Sequence, residues 1–251
     1  MGIGGKMRNF RASVLFKFID KRLYKRLMRL IPHGIKYRII SKWHLRHSAF
    51  KYVKEGYSII QIGASGRLCE LGRSQPVIYS ILVGSNGVVN VFEVLPENIL
   101  GLNEYFEKYR IKNIKCHNIG VWKEPDAIEF IAPYRMATGS MIKEVIPDVA
   151  DKFDTSRKFK VDSIDNLVKD NGIEKVDLIN ITINGAEPEA IEGGKNTIIS
   201  HRPKIFMRYP VEREERVKKY LKDLGYNIHD DYMRLYFISG KFRVLWAEYN
   251  F

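Results

Sequence analysis

Short apolar runs alternate with helical segments from Gly56 onward, and this alternation limits the possible folds more than any other feature of the sequence. The runs predicted as strands are 58–62, 88–92, 113–117, 175–181 and 204–209, and the predicted helices include 97–109, 187–199 and 212–224. Continuous apolar strands separated by helices are typical of a parallel sheet covered on both faces. The sequence therefore predicts a doubly wound, mostly parallel α/β domain that binds its ligand at the carboxyl ends of the strands.

The C-terminal part of the chain has a different pattern. The segments 235–239 and 242–248 are largely apolar, and a turn at Gly240 and Lys241 joins them. Two such runs with a short glycine turn between them are typical of a β-hairpin. We therefore expect an antiparallel hairpin at one edge of the sheet.

Charge divides the chain into two parts. The chain has 42 Lys and Arg residues and 29 Asp and Glu residues; residues 1–55 hold 15 and 2 of these, whereas residues 56–251 hold 27 of each. The whole net charge of +13 thus lies in the first part. We predict a basic helical N-terminal arm over 1–55 and a neutral domain over 56–251.

Residues 12–31 of the arm are predicted as an amphipathic helix that ends before Pro32. Its apolar stripe consists of Leu15, Phe16, Ile19, Leu23, Leu27, Leu30 and Ile31, and its cations are Lys17, Lys21, Arg22, Lys25 and Arg29. Such a helix can bind an anionic membrane interface or another polyanion, or it can pack on the body or on a partner subunit. The sequence leaves both interpretations open.

Three further features of the sequence bear on the cellular compartment of the protein. No apolar run approaches the length of about 20 residues that a membrane span needs. Charges at Lys17, Lys21 and Arg22 interrupt any signal-peptide pattern. Two cysteines, Cys69 and Cys116, are too few for a disulfide framework and suit a reducing compartment. We therefore expect a cytoplasmic protein, which the arm could hold at the inner face of the membrane.

A glycine loop follows the first predicted strand. It reads Gly63-Ala64-Ser65-Gly66, and Glu93 directly follows the second predicted strand. Glycines at such a turn let the backbone approach a ligand, and a carboxylate after the next strand can accept hydrogen bonds from both ribose hydroxyls. The combination indicates a nucleoside ligand. Only two glycines stand where a dinucleotide fingerprint needs three, which disfavours NAD.

Several motifs occur in the order found in one known family. They are Ile59-Ile60-Gln61-Ile62-Gly63-Ala64, Val91-Phe92-Glu93-Val94-Leu95-Pro96-Glu97-Asn98, Phe159 to Leu167, Val176 to Gly194, Pro203-Lys204-Ile205 and Leu224-Gly225-Tyr226. On these motifs, residues 56–228 resemble the FkbM-like S-adenosylmethionine-dependent methyltransferases. The resemblance implies a Rossmann-like class I methyltransferase fold and methyl transfer, mostly to hydroxyl groups of sugars, glycans and natural products.

The resemblance also implies where the cofactor S-adenosylmethionine binds. It assigns the methionine end of the cofactor to the loop 63–66, with Gln61 beside the amino group. It assigns the ribose to Glu93 and the adenine to the segment that begins at Asn118.

Four acidic positions of the family are occupied differently in this chain. Gln61 and Thr182 each stand where the family has Asp. Asn184 and Arg208 each stand where Glu is usual. These replacements leave too few carboxylates for a hard cation, so we predict that the site holds no metal.

The candidate catalytic residues are Glu187, His117 and Asn184. Glu187 is the surviving acid of the motif Asn184-Gly185-Ala186-Glu187 and could assist loss of a hydroxyl proton, or it could stabilise a helix N-terminus. His117 ends the third predicted strand, where a structural role is the alternative to catalysis.

The sequence predicts an S-adenosylmethionine-dependent methyltransferase that O-methylates a hydroxyl of a glycan, a glycolipid or a related metabolite. The first alternative is a degenerate methyltransferase fold that acts as a binding or scaffold protein. The second is an RNA methyltransferase or RNA binder, with Tyr37, Trp43 and Tyr52 stacking on bases. Nucleic acid is the less favoured partner, because no Asn-Pro-Pro-Tyr-like motif for base flipping occurs.

Overall fold

A computed structural model of the chain describes residues 26, 28–44, 48–131, 141–142, 156–183, 185–208, 213–234 and 241–250. Its helices are α1 (His33–His44), α2 (Ser48–Lys51), α3 (Gln75–Val83), α4 (Pro96–Lys108), α5 (Ile164–Asp170), α6 (Glu187–Glu192), α7 (Lys195–His201) and α8 (Glu214–Asp223). Its strands are β1 (Ser58–Ile62), β2 (Val88–Phe92), β3 (Ile114–His117), β4 (Gly120–Val121), β5 (Asp126–Ile131), β6 (Met141–Ile142), β7 (Ser156–Asp162), β8 (Leu178–Ile181), β9 (Lys204–Met207), β10 (Tyr226–Arg234) and β11 (Lys241–Tyr249).

A seven-stranded sheet with the order β10-β11-β9-β8-β1-β2-β3 forms the centre of the fold. The section from β9 to β3 is parallel, and β1 pairs with β2 on one side and with β8 on the other. The strand order reverses between β1 and β8, and ligands of such sheets bind at this switch point. The predicted doubly wound α/β fold is confirmed, and the strands predicted over 58–62 and 88–92 have the observed bounds.

The antiparallel edge is also confirmed, although its first strand lies earlier than predicted. β10 pairs with β11, and β11 pairs with β9, both in antiparallel orientation. The predicted strand 235–239 lies outside the described residues, whereas β10 spans Tyr226–Arg234. Polar residues such as Asp230 and Asp231 hide β10 in the sequence, because only one of its faces packs on the core, through Tyr226 and Ile228.

A second sheet, with the order β4-β7-β5-β6, has no counterpart in the predictions. β5 and β7 run antiparallel, and Ile128, Phe130 and Val161 from these strands lie in one buried cluster. Exposed Lys158 and Lys160 alternate with less exposed residues along β7. No continuous apolar run therefore marks these strands in the sequence.

The prediction of one helix over 187–199 is wrong, since Gly193 and Gly194 separate α6 from α7. A Cβ atom at Gly193 would lie 2.3 Å from the backbone oxygen of Trp122, which is closer than any side chain can approach. The chain passes close to Trp122 at this point and turns between the two helices.

Part of the predicted arm is packed into the body. Tyr37, Ala49 and Phe50 are fully buried in one cluster with side chains of β1 and α3. The packing of the body thus extends toward the N-terminus at least as far as Tyr37. Most of the predicted helix 12–31 lies outside the described residues.

Two clusters of buried apolar side chains cover the two faces of the central sheet. One includes Ile191 of α6 and Leu221 of α8, and the other includes Val77 of α3 and Leu102 of α4. Helices on both faces explain why most residues of the central parallel strands are apolar. Among the described helices, none combines the length and the hydropathy that crossing a membrane requires.

Candidate active site

The loop 63–66 leaves β1 at the switch point of the sheet and is pressed against its neighbours. Gly63 has a φ of +78°, and a Cβ atom there would lie 2.6 Å from the backbone oxygen of Thr182. A Cβ atom at Gly66 would lie 2.8 Å from the carbonyl carbon of Gly101 in α4. Backbone packing therefore requires glycine at both positions, because a larger residue would collide with backbone atoms.

Glu93 holds this loop to the end of β2. Its Oε2 accepts a 2.8 Å hydrogen bond from the N–H of Ala64, and its Oε1 accepts one of 2.8 Å from the N–H of Leu95. Burial raises the pKa of Glu93, although these two N–H groups counteract part of the rise. Asn118 Nδ2 donates to the backbone oxygens of Glu93 and Val94, each at 3.0 Å. The fold thus brings together the loop, Glu93 and Asn118, which the resemblance assigned to one cofactor site.

A neutral hydrogen-bond network holds the other side of the loop. Gln61 is fully buried, and its Nε2 donates to Gly63 O at 2.7 Å and to Thr182 Oγ1 at 2.9 Å. Its Oε1 accepts a 2.6 Å hydrogen bond from Nδ2 of Asn180, a β8 residue that the sequence analysis missed. Because the amino group of the cofactor is a hydrogen-bond donor, its predicted contact with Gln61 would have to be made by Oε1, which already accepts from Asn180.

Glu187 begins α6, beyond the carboxyl end of β8. It has no exposed surface, and neither carboxyl oxygen has a hydrogen-bond partner of normal geometry within the described part of the chain. Burial raises the pKa of Glu187 to about 8, although nearby backbone N–H groups and the charge of Arg213 oppose this rise. Arg208, which directly follows β9, also interacts electrostatically with Glu187. Glu187 can therefore exchange a proton near neutral pH.

An arginine that the sequence analysis missed holds the backbone leading to Glu187. Arg213 donates to Gly185 O and to both carboxyl oxygens of Glu189, the latter two at 2.9 and 2.5 Å. Arg216 donates to the same carboxylate at 2.9 Å. No local pattern links residues this far apart in the chain, so only the folded structure reveals the fork between Arg213 and Glu189.

The two titratable candidates, Glu187 and His117, are not brought together. His117 ends β3, which lies three strand spacings from β8 in the sheet, or about 14 Å. Its ring stacks on Phe92 with centroids 4.7 Å apart, and its Nε2 lies 3.4 Å from Asn90 Oδ1. Burial lowers the pKa of His117, and Lys115 adds to this effect. His117 thus lies on the β2–β3 side of the site, away from Glu187.

Two other predictions for the site stay predictions. Asn184 lies outside the described residues. Within the described ranges, no group of three or more His, Cys, Asp and Glu side chains is placed to hold a metal ion.

The residues of the loop fit the cofactor that the resemblance implies. Ser65 Oγ is buried and has no hydrogen-bond partner among the described residues. A buried hydroxyl in this state is costly unless a ligand or a water satisfies it, so its position in the loop suits a polar group of a ligand. The loop would hold the methionine end of S-adenosylmethionine, and Glu93 would hold the ribose.

Three solved structures resemble this chain. Methyltransferase FkbM from Methylobacillus flagellatus KT is 13% identical with a TM-score of 0.54, and the match covers 97% of this chain and 60% of that one. Precorrin-6y C5,15-methyltransferase from Geobacter metallireducens GS-15 is 12% identical with a TM-score of 0.49, over 85% of this chain and 87% of that one. Fibrillarin from Aeropyrum pernix was solved with natively bound S-adenosyl-L-methionine. It is 16% identical with a TM-score of 0.44, and the match covers 84% of this chain and 75% of that one. The first of these likenesses shows a Rossmann-like methyltransferase fold.

The sequence itself identifies the family. No curated protein matches the chain by sequence. Residues 61–228, which are more than half of the chain, match the family described as the Methyltransferase FkbM domain. This range contains Gln61, the glycine loop, Glu93 and Glu187. The chain belongs to the FkbM methyltransferase family, and its cofactor is S-adenosylmethionine.

Proposed function

We propose that this methyltransferase methylates a hydroxyl oxygen of a glycan, a glycolipid or a related metabolite. The observation that carries the proposal is the buried carboxyl of Glu187, whose pKa is raised to about 8. Methylation of a hydroxyl releases a proton, so the reaction gains from a base beside the acceptor. A carboxylate with a raised pKa is a stronger base than an ordinary one.

Glu187 would act in one proton transfer. When bound, S-adenosylmethionine supplies an electrophilic methyl group, and a hydroxyl oxygen that takes this methyl group must give up its proton. Glu187 would accept that proton on a carboxyl oxygen that has no other partner of normal geometry among the described residues. Because Glu187 has no exposed surface, the acceptor has to displace residues that cover it.

The remaining residues of the site would position the reactants. The loop 63–66 is held on one side by Glu93 and on the other by Gln61. Arg213 fixes the backbone at Gly185, two residues before Glu187. A preorganised loop and base reduce the entropy that the reacting groups lose, and this contributes much of the rate in a displacement reaction.

Calorimetric titration with S-adenosylmethionine, followed by a screen of neutral glycans and glycolipids for methyl transfer, tests the proposal. Glu93→Ala should weaken cofactor binding about tenfold or more, since the loop and the ribose both lose their acceptor. Glu97→Ala is the matched control, because Glu97 is exposed at the start of α4 and its carboxylate pairs with Arg157, away from the loop 63–66. Equal loss of binding in both variants would contradict the assigned cofactor site.

A second candidate function, a binding or scaffold protein, is favoured by Gln61. The side chain is neutral and uses both of its amide hydrogens within the protein. Gln61 therefore gives the amino group of a cofactor no charge to pair with, which weakens the interaction. Cofactor binding without methyl transfer to any acceptor tested would support this candidate.

We also propose that the protein works at the inner face of an anionic membrane, where a lipid-linked acceptor is confined. The apolar stripe and cations of residues 12–31 support this proposal. The double change Ile19→Gln with Leu23→Gln should abolish vesicle binding while keeping every cation. Unchanged binding that high salt eliminates would point instead to a simple polycation.

A further inference from the structure

The outer face of α1 exposes large apolar side chains, and so does Leu30, which lies shortly before α1. Leu30, Ile35 and Ile39 are 79%, 55% and 53% exposed. Ile35 and Ile39 stand four positions apart in one helix, so their side chains share a face. A single exposed isoleucine is ordinary, but three such side chains within ten positions indicate a contact surface.

Exposed cations lie close to these apolar side chains along the chain. Arg26, Arg29 and Arg38 are exposed, and Arg38 shares the helix face of Ile35 and Ile39. The sequence from residue 21 to residue 54 contains 11 Lys and Arg residues and no Asp or Glu. These three apolar residues and three arginines are here called the α1 surface, and the segment that carries most of them has a net positive charge.

The opposite face of α1 is anchored to the body beside the cofactor loop. Lys36 Nζ donates to Glu70 O at 2.7 Å, and the Tyr37 hydroxyl donates to Cys69 O at 3.0 Å. Both acceptors lie in the segment that directly follows the loop 63–66. His33 adds a 2.8 Å hydrogen bond to the hydroxyl of Tyr105 in α4. These contacts fix which face of α1 points outward.

We propose that the α1 surface docks on an anionic lipid bilayer. Isoleucine and leucine side chains can enter the boundary between headgroups and acyl chains, while the arginines lie level with the anionic headgroups. The proposal rests mainly on Ile35 and Ile39, which lie outside the stripe predicted over residues 12–31, although it shares Leu30 and Arg29 with that segment. It does not depend on methyl transfer.

A nucleic acid is a poorer occupant of the α1 surface. Two of the three aromatic residues considered for base stacking are engaged in the fold: Tyr37 is fully buried, and Tyr52 stacks on Trp246 with centroids 4.5 Å apart. The exposed side chains that accompany the cations are aliphatic, and aliphatic groups gain little from a phosphate backbone.

Docking at the α1 surface would also orient the site. Two hydrogen bonds join α1 to the segment that directly follows the loop 63–66, so the proposed membrane-facing helix is anchored close to the cofactor loop. The enzyme would then present its cofactor at a constant distance from the bilayer, which suits an acceptor carried by a lipid.

Co-sedimentation of the full chain with phosphatidylcholine vesicles, with and without phosphatidylglycerol, tests the proposal. The wild-type protein should bind the anionic vesicles and bind the neutral ones weakly. Ile35→Gln with Ile39→Gln should reduce partitioning about tenfold or more, since it removes apolar contact and keeps every charge. Arg26→Gln with Arg29→Gln should also weaken binding and reduce its dependence on salt.

The matched control is Ile199→Gln in α7. Ile199 is 48% exposed, close to the 53% of Ile39, and α7 packs on the opposite face of the sheet from α1. This variant should bind vesicles as the wild type does, and it is compared with the single change Ile39→Gln. Thermal melts of all variants should match the wild type, because the substituted side chains are exposed.

Three outcomes would overturn the proposal. The first is that the Ile35→Gln, Ile39→Gln variant binds vesicles as strongly as the wild type does. This outcome counts even if Ile19→Gln with Leu23→Gln abolishes vesicle binding. The second is an equal loss of binding in Ile39→Gln and Ile199→Gln. The third is binding of RNA by the wild type that the isoleucine variant retains while no vesicle is bound.

Discussion

The buried polar side chains beside β8 differ in charge and in how far they are hydrogen-bonded. Toward β1, Gln61 is bonded to Asn180, Thr182 and Gly63, and every member of this network is uncharged. Toward β9, Glu187 is fully buried as an acid and has no hydrogen-bond partner of normal geometry within the described residues. Both side chains are inaccessible to water, so the contrast does not come from exposure.

This difference separates a structural role from a chemical one. Gln61 exchanges its hydrogen bonds with water for hydrogen bonds within the protein, which keeps the loop rigid at little cost. Glu187 gives up hydration without an equivalent replacement, and this desolvation raises its pKa. Folded proteins retain such unfavourable groups mainly where function needs them.

Glu187→Gln should have the largest effect. Removing the base should lower methyl transfer about 10²- to 10⁴-fold while cofactor affinity stays within about twofold of the wild type. Turnover with an identified acceptor and calorimetry with the cofactor measure the two quantities. Full activity in the variant would assign proton removal to another group.

The stability of the same variant provides a test without an acceptor. The unfolded carboxyl ionises near its usual pKa of 4.5, whereas the folded one keeps its proton up to about pH 8. The unfolded state therefore binds fewer protons within this window, and the stability of the wild type falls as the pH rises through it. Glu187→Gln removes the fall and should stabilise the protein by about 2 kcal/mol or more at pH 8, with little effect near pH 5. A helix-terminus role for Glu187 predicts the opposite sign.

Gln61→Glu places an acid of the same shape in the uncharged hydrogen-bond network between β1 and β8. The new carboxyl would face Gly63 O, so its folded pKa should be raised and its proton retained. By the same linkage, the variant should lose about 2–4 kcal/mol between pH 5 and pH 8. Urea unfolding at both pH values measures this loss. Gln75→Glu, at the start of α3, is the control and should be neutral or slightly stabilising.

Arg213→Lys tests the two-oxygen contact between Arg213 and Glu189, which supports the backbone before Glu187. Lysine cannot bond both oxygens of Glu189 and also reach Gly185 O, so about 1–2 kcal/mol of stability should be lost. Turnover should fall severalfold with unchanged cofactor affinity, because the backbone before Glu187 loosens. The control is Arg216→Lys, whose side chain is 48% exposed and whose replacement should cost less than about 1 kcal/mol.

Chelation should have no effect. With Gln61, Thr182 and Asn184 in place of acids, the site offers too few carboxylates to bind a hard cation tightly. Treatment with EDTA should leave the thermal melt and any methyl transfer unchanged. Activity that disappears with EDTA and returns with Mg²⁺ would show that other acids hold a metal.

Local sequence pattern was sufficient where a segment is apolar on both faces. β1 and β2 have the predicted bounds, because both are covered by helices on each side and read as continuous apolar runs. β7 and β10 were missed because each places polar residues on one face. The break at Gly193 was missed because the backbone of Trp122, far away in the sequence, imposes it.

The sequence by itself determined the alternation of strands and helices, the glycine loop, the acid after β2 and the concentration of charge before residue 56. These features depend on residue type and on spacing within one segment. Only the tertiary structure decided that Gln61 bonds to Thr182, 121 positions away, and that Arg213 supports Gly185. It also decided which face of α1 is exposed and that Glu187 is buried with a raised pKa. Burial and long-range partners set these properties, and neither is encoded in a local pattern.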